Sequence, residues 1–181
     1  VPDLVIGHSA GVAIALRMWE MGMRPKRGIV GINAALGNFK GVAGWLFPMM
    51  AKALAVTPFS ASLFTHITTR ASVRNLVEGT GSHLGQEGLD LYYRLAIDKA
   101  HVDATLSMMA QWSLDGLLAR LGQIDCPVHL IIGMADKAVP PHVSVDAARK
   151  LANAKLTELP NLGHLAHEED PATIARLIQE S

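Results

Sequence analysis

The stretch Leu-Val-Ile-Gly-His-Ser-Ala-Gly-Val-Ala-Ile-Ala-Leu, residues 4–16, passes from β-branched residues into a helix-forming pattern with no spacer. Such a chain has to turn sharply at Gly7-His8-Ser9-Ala10-Gly11, with a strand before the serine and a helix after it. This is the one context in which G-x-S-x-G carries chemical meaning. A turn that tight holds Ser9 in a strained backbone conformation, and side chains at positions 7 and 11 are expected to collide with neighbouring elements. The Ser9 hydroxyl then leaves the carboxyl end of the strand. The Ala10 N–H, at the helix N-terminus, can face a developing oxyanion. The same five residues also suit an ordinary small-residue turn, so Ser9 acquires a role only if the chain supplies partners for it.

The rest of the sequence lays out a parallel sheet interrupted by helices. Residues 27–35, RGIVGINAA, read as a second buried strand, and strand, helix, strand with short links implies a right-handed crossover. From about 36 to 122 no strand pattern appears. Residues 41–55, 71–81, 86–112 and 114–122 read as helices or pieces of helices. Within 86–112, Leu91, Leu95, Val102, Leu106 and Met109 recur at helical spacing and mark one apolar face. Sheet character returns at residues 126–136, CPVHLIIGMAD, followed by a helix near 143–152, a strand at 155–160 and a last helix that starts at Pro171. The expected organisation is α/β: core residues 1–35, an all-helical insertion at 36–122, and core again at 123–181.

A serine needs a base to become a nucleophile, and the base needs an orienting carboxylate. Asp136 follows the strand VHLIIG, and His164 follows the last strand in NLGHLAHEEDP. Both therefore stand with Ser9 at carboxyl ends of parallel strands, where sites in open α/β sheets form. Asp136 also fits a simpler role, capping the next helix or starting the turn before Pro140-Pro141. Asn33, after the second strand, cannot replace a carboxylate. His167 rivals His164, but Gly163 favours a sharp turn beside His164 alone. His8 is expected to line the pocket, and the other histidines lack metal-ligand spacing, so no metal and no cofactor is expected.

Composition narrows the function classes. The 181 residues carry 16 basic and 16 acidic side chains, so no basic field invites nucleic acid. Mean hydropathy is +0.25, apolar for a chain with no transmembrane span. The most apolar stretch, residues 41–67, is broken by Pro48, Lys52 and Pro58, and reads as a buried or surface-seeking helical segment. One cysteine, Cys126, suits a reducing compartment and a buried position beside a strand. No secretory signal pattern is visible. The location expected is cytoplasmic, with peripheral contact to a membrane left open.

GHSAG, GMAD and LGHLAHEE together resemble the α/β-hydrolase superfamily, whose triad runs in the order Ser, Asp, His. GHSAGVAIALRM, IVGINAALGNFKGVAGWLFPMMAKALA, VRNLVEGTGSHLGQEGLDLYYRL and HVDATLSMMAQWSLDGL resemble BchO-type magnesium-chelatase accessory proteins of bacteriochlorophyll synthesis. The resemblance implies Ser9 as nucleophile, Asp136 as acid, His164 as base and Ala10 as one oxyanion donor. It implies strands five to eight of the fold, its C-terminal part, with a helical cap. About 90 to 100 residues then precede the serine in a complete domain, so the chain is expected to be a fragment. The second oxyanion donor of the family has no match in this sequence. The serine strand is then an edge whose free backbone groups invite aggregation.

Three functions stay open on this reading. The first is a serine hydrolase-type accessory protein for magnesium insertion into protoporphyrin IX, with magnesium chelatase as a partner. The second is a general carboxylester hydrolase acting on a small apolar substrate. The third is a helper that binds a tetrapyrrole without turnover. The apolar cap residues Trp45, Phe47, Met109 and Trp112 are expected to line a pocket for a bulky apolar substrate. Arg70, Arg74 and Arg94 could meet porphyrin carboxylates or stand on solvated helix faces.

Overall fold

The computed structural model describes residues 1–37 and 60–181. Four strands, β1 (Leu4–His8), β2 (Gly28–Ile32), β3 (Val128–Gly133) and β4 (Ala154–Leu159), form one sheet in the order β1-β2-β3-β4. Every neighbouring pair is parallel, with Gly7 beside Gly31, Ile32 beside Ile131, and Gly133 beside Leu159. Parallel neighbours require crossovers, and the first is α1 (Ala10–Glu20). Between β2 and β3 come α2 (Ser60–Ile67), α3 (Arg70–Gly79), α4 (Gln86–Ala96), α5 (Lys99–Ala110) and the single turn α6 (Asp115–Leu118). α7 (Pro141–Ala148) joins β3 to β4, and α8 (Ala166–Glu169) and α9 (Pro171–Gln179) close the chain. This is the parallel α/β layout expected from the sequence.

Two compact units make up the chain. One holds Val1–Gly37, Gly79–His83 and Leu114–Ser181, the other Asn38–Glu78 and Leu84–Ser113. In the first, β2 and β3 are buried along their whole length. Their near-continuous Ile, Val and Leu runs are what a strand covered on both faces needs. On one face Val30, Ile32 and Ile131 pack with Ala166, Ile174 and Leu177, so α9 is held by the sheet. On the other, α1 lies so close to β2 that a Cβ on Gly31 would come within 2.8 Å of Val12. Strands β1 and β4 are only partly covered, and Ile6 on β1 stands half-exposed. Cys126 is buried just ahead of β3.

In the second unit, α5 packs against both α2 and α4. The sequence pattern over 86–112 suggested one continuous apolar face, and the structure corrects this. Helix α4 ends at Ala96, and Asp98 caps α5 by accepting the His101 N–H at 2.9 Å. An aspartate that satisfies a free helical N–H is better placed ahead of a helix than within one. The break takes Leu91 and Leu95 out of the expected stripe and leaves both exposed, while Leu89 and Val102 are buried. Of the apolar stretch 41–67, only Ser60–Ile67 falls within the described residues, and it is helical. No helix among the described residues is long and apolar enough to cross a membrane.

The β2–β3 pair should dominate stability. Ile131, fully buried, truncated to Ala removes packing on the α9 side and should cost about 2–5 kcal/mol in urea unfolding. Ile6→Ala, at a half-exposed edge position, should cost well under half of that.

Candidate active site

Ser9 stands at the turn between β1 and α1 with φ 53° and ψ −118°, a conformation a non-glycine residue holds only when its surroundings impose it. Its N–H donates to the Ile32 carbonyl at 2.9 Å, and its own carbonyl accepts from Ala35 N–H at 3.1 Å. The end of β2 thus holds the serine from both sides. Gly7 makes the turn possible, since a Cβ there would stand 2.7 Å from the Gly11 backbone. Gly11 does not carry the clash expected of it: a Cβ there meets nothing within 4 Å among the described residues. The reason is direction, because the crowding lies on the side of Gly7 that faces the first turn of α1. Ala10 opens α1, where helical N–H groups lack intrahelical acceptors.

The Ser9 hydroxyl does not cap α1. It lies 3.1 Å from His164 Nε2, and His164 Nδ1 lies 2.7 Å from Asp136 Oδ2. Asp136 and His164 are both buried. An ionised carboxylate only accepts, so the proton of the neutral imidazole sits on Nδ1, and Nε2 is free to accept from the serine. Ser9, His164 and Asp136 are therefore brought together in one line of hydrogen bonds. His167 is not bonded to the serine.

Asp136 makes the contacts of both readings, a turn on one oxygen and a bond to His164 on the other. Oδ1 accepts from the Ala138 and Val139 N–H groups, each at 2.8 Å, and shapes the turn, although the residue that caps α7 is Pro140. Oδ2 accepts from His164 and also from Asn33 Nδ2 at 2.7 Å. Asn33 has φ 48°, is buried, and its Oδ1 has no hydrogen-bond partner among the described residues. It replaces no carboxylate, but it holds the one that is there. The sequence signal was a polar residue at the end of a buried strand.

His8 does not act on the serine. Its Nε2 donates to the His164 carbonyl at 2.8 Å, and its ring lies against those of His164 and His167, with centroids 4.7 and 4.4 Å away. Burial pushes its pKa from the ordinary 6.5 down to about 4, helped by the neighbouring histidines and opposed by the bond to the His164 carbonyl. Burial lowers that of His167 as well. Gly163 earns its place by close approach to Gly81 rather than by a left-handed turn. Of the other expected pocket residues, Met109 and Trp112 are half-buried in the second unit. Trp45 and Phe47 lie outside the described residues. Arg70 pairs with Asp90 and lies over the Tyr93 ring, Arg74 donates to Gln86, and both are exposed, as the solvated-face reading holds. A cavity of about 360 Å³ lined by Arg17, Trp19, Glu20, Arg120 and Gln123 sits near the far end of α1, away from the serine.

Fold and serine turn together define a class. Residues 1–177 match the alpha/beta hydrolase family, and the chain belongs to it. It is 49% identical over 168 residues to the magnesium-chelatase 30 kDa subunit of Rhodobacter capsulatus, covering 92% of this chain and 58% of that protein. The chain thus spans less than two thirds of that relative's length. Among solved structures, an esterase from Exiguobacterium antarcticum superposes with a TM-score of 0.74 at 14% identity, over 99% of this chain and 66% of the esterase. An α/β-hydrolase fold protein from Burkholderia ambifaria gives the same TM-score at 20% identity, over 100% of this chain and 67% of that one.

The buried histidines set a pH dependence of stability. Between about 4 and 6.5 the unfolded chain binds a proton at residue 8 that the folded chain refuses. Stability from this group is therefore complete above pH 6.5 and is lost as pH falls toward 4. Thermal unfolding should show a lower Tm at pH 5 than at pH 7, with a smaller drop in His8→Gln.

Proposed function

We propose that this chain carries the nucleophile, acid and base of a serine hydrolase-type protein that works beside magnesium chelatase. The observation that supports the chemistry is the line of hydrogen bonds Ser9–His164–Asp136, at 3.1 and 2.7 Å, with Ser9 in a strained backbone conformation. The likeness to a magnesium-chelatase 30 kDa subunit supports the setting, a protoporphyrin-type substrate or a partner in magnesium insertion. On this reading residues 1–35 and 123–181 form the hydrolase core and 36–122 a cap. A general carboxylester hydrolase is the alternative that the family allows, and a tetrapyrrole-binding helper without turnover is the other.

The proposed reaction starts when Ser9 Oγ attacks the carbonyl carbon of an ester or thioester while its proton passes to His164 Nε2. The imidazolium so formed is held by the Asp136 carboxylate, which stays ionised. Negative charge collects on the former carbonyl oxygen, and the Ala10 N–H faces it at the helix start. When the tetrahedral species collapses, the bond to the leaving oxygen or sulfur breaks and His164 returns the proton to it. Water then repeats the sequence on the acyl-serine and releases the acid.

Fluorophosphonate labelling of the full-length protein tests this. Wild type should label at Ser9, Ser9→Ala should not, and Asp136→Asn should label on the order of 10⁴-fold more slowly. Equal, background labelling of wild type and Ser9→Ala would sink the hydrolase reading. Saturable porphyrin binding that persists in Ser9→Ala would then favour the helper.

A further inference from the structure

His164 stands where the backbone has neither strand nor helix to lean on: β4 ends at Leu159 and α8 begins at Ala166. Buried peptide groups in such a segment must find partners elsewhere, and here side chains supply them. The Gly163 N–H donates to Glu169 Oε2 at 2.8 Å. The His164 carbonyl accepts from His8 Nε2 at 2.8 Å. The Leu165 N–H donates to Ser82 Oγ, again at 2.8 Å. Three side chains, two of them from distant parts of the sequence, thus take the peptide groups before, at and after the imidazole-bearing residue.

Ser82 is fully buried, and it belongs to a short segment, residues 80–83, that reaches both loops of the site. Thr80 C=O accepts from the Lys137 N–H at 2.9 Å. Gly81, with φ +86°, lies so near the Ala135 carbonyl oxygen that no Cβ could stand there. Ala135 and Lys137 flank Asp136. On the other side Gly163 is pressed against the Gly81 peptide with no room for a side chain. Glu169 closes the ring, since its Oε1 accepts from the His83 N–H at 3.0 Å while Oε2 holds Gly163. The segment therefore sits against the loop of the acid and the loop of the base at once.

We infer that Ser82 and Glu169 are positioning residues for His164, fixing its backbone from both sides so that Nδ1 stays on Asp136 while Nε2 stays on Ser9. The inference rests on the serine-hydrolase reading for its catalytic meaning. Both residues act on peptide groups next to His164 and not on its ring. The titratable groups that face the ring or its nearest neighbour are Asp136, His8 and, beyond His8, His167. Displacing a reacting group by about 1 Å can cost about a hundredfold in rate, so a slack loop would show in the chemistry before it showed in the fold.

The test compares full-length wild type, Ser82→Ala, Glu169→Gln and the double variant by two readouts. One is the rate of fluorophosphonate labelling at Ser9 against pH; the other is the NMR signal of the His164 Nδ1 proton. Each single variant should label about tenfold to a hundredfold more slowly, with a displaced pH profile and a shifted or broadened Nδ1–H line, while thermal unfolding stays cooperative. The double variant should lose little more than the worse single one, because the two hold one loop. Ser82→Thr, which keeps the hydroxyl, should recover rate and line. If Ser82→Ala does not fold, Glu169→Gln decides. Unchanged rates, profiles and Nδ1–H lines in folded variants would overturn the proposal. Should wild type label no better than Ser9→Ala, the hydrolase reading falls by itself. The Nδ1–H line then decides the positioning role: shifted in both variants it stands, unmoved it fails.

Discussion

A negative charge with its side chain wholly removed from solvent organises this chain. The Asp136 carboxylate is 0% exposed and would be prohibitively costly to bury alone. Donors arrive from three places: Asn33 after β2, the Ala138 and Val139 peptides of its own turn, and His164 after β4. Satisfying that charge fixes the loops at the carboxyl ends of the last three strands relative to one another. Ser9 joins the same assembly through the Ile32 carbonyl and Ala35 amide, so the β2 end holds Ser9 and Asp136 together. The sheet beneath matters chiefly because its close parallel register brings these loop origins into reach.

The core of this arrangement was legible in the residues. A serine turn with glycine at position 7, a carboxylate after β3 and a histidine after β4 are each required by local chemistry, and parallel topology places them at one edge. Gly7 shows how far such reading goes: its small size is demanded by contact with α1, and the demand is visible in the pattern. Gly11 shows its limit, since the direction of a Cβ follows from the exact path of the turn. Asn33 was read for what it could not do, because an orphan amide gains a purpose only once a buried carboxylate is placed beside it.

Elsewhere the one-dimensional pattern misled for a physical reason. Leu91, Leu95 and Val102 keep helical spacing, yet the spacing continues across a helix break at which Asp98 caps α5. Periodicity counts residues and is blind to one that leaves the helix. Ser82 and Glu169 gave no sequence signal at all. Their partners are main-chain amides, which every residue possesses, so nothing in the identity of positions 163 or 165 announces them.

The segment at residues 80–83 lies in the chain between α3 and α4, midway through the insertion, although its compact packing is with the sheet unit. The insertion is consequently not a detachable module. Exchanging residues 36–122 for the corresponding piece of a relative would also exchange the strut that steadies the histidine loop. Swapping this region therefore also replaces the partners of the Leu165 and Lys137 amides unless the four-residue strut travels unchanged. A lineage that remodels residues 36–122 is under the same restriction at residues 80–83, whose bonds run to the loops that carry Asp136 and His164.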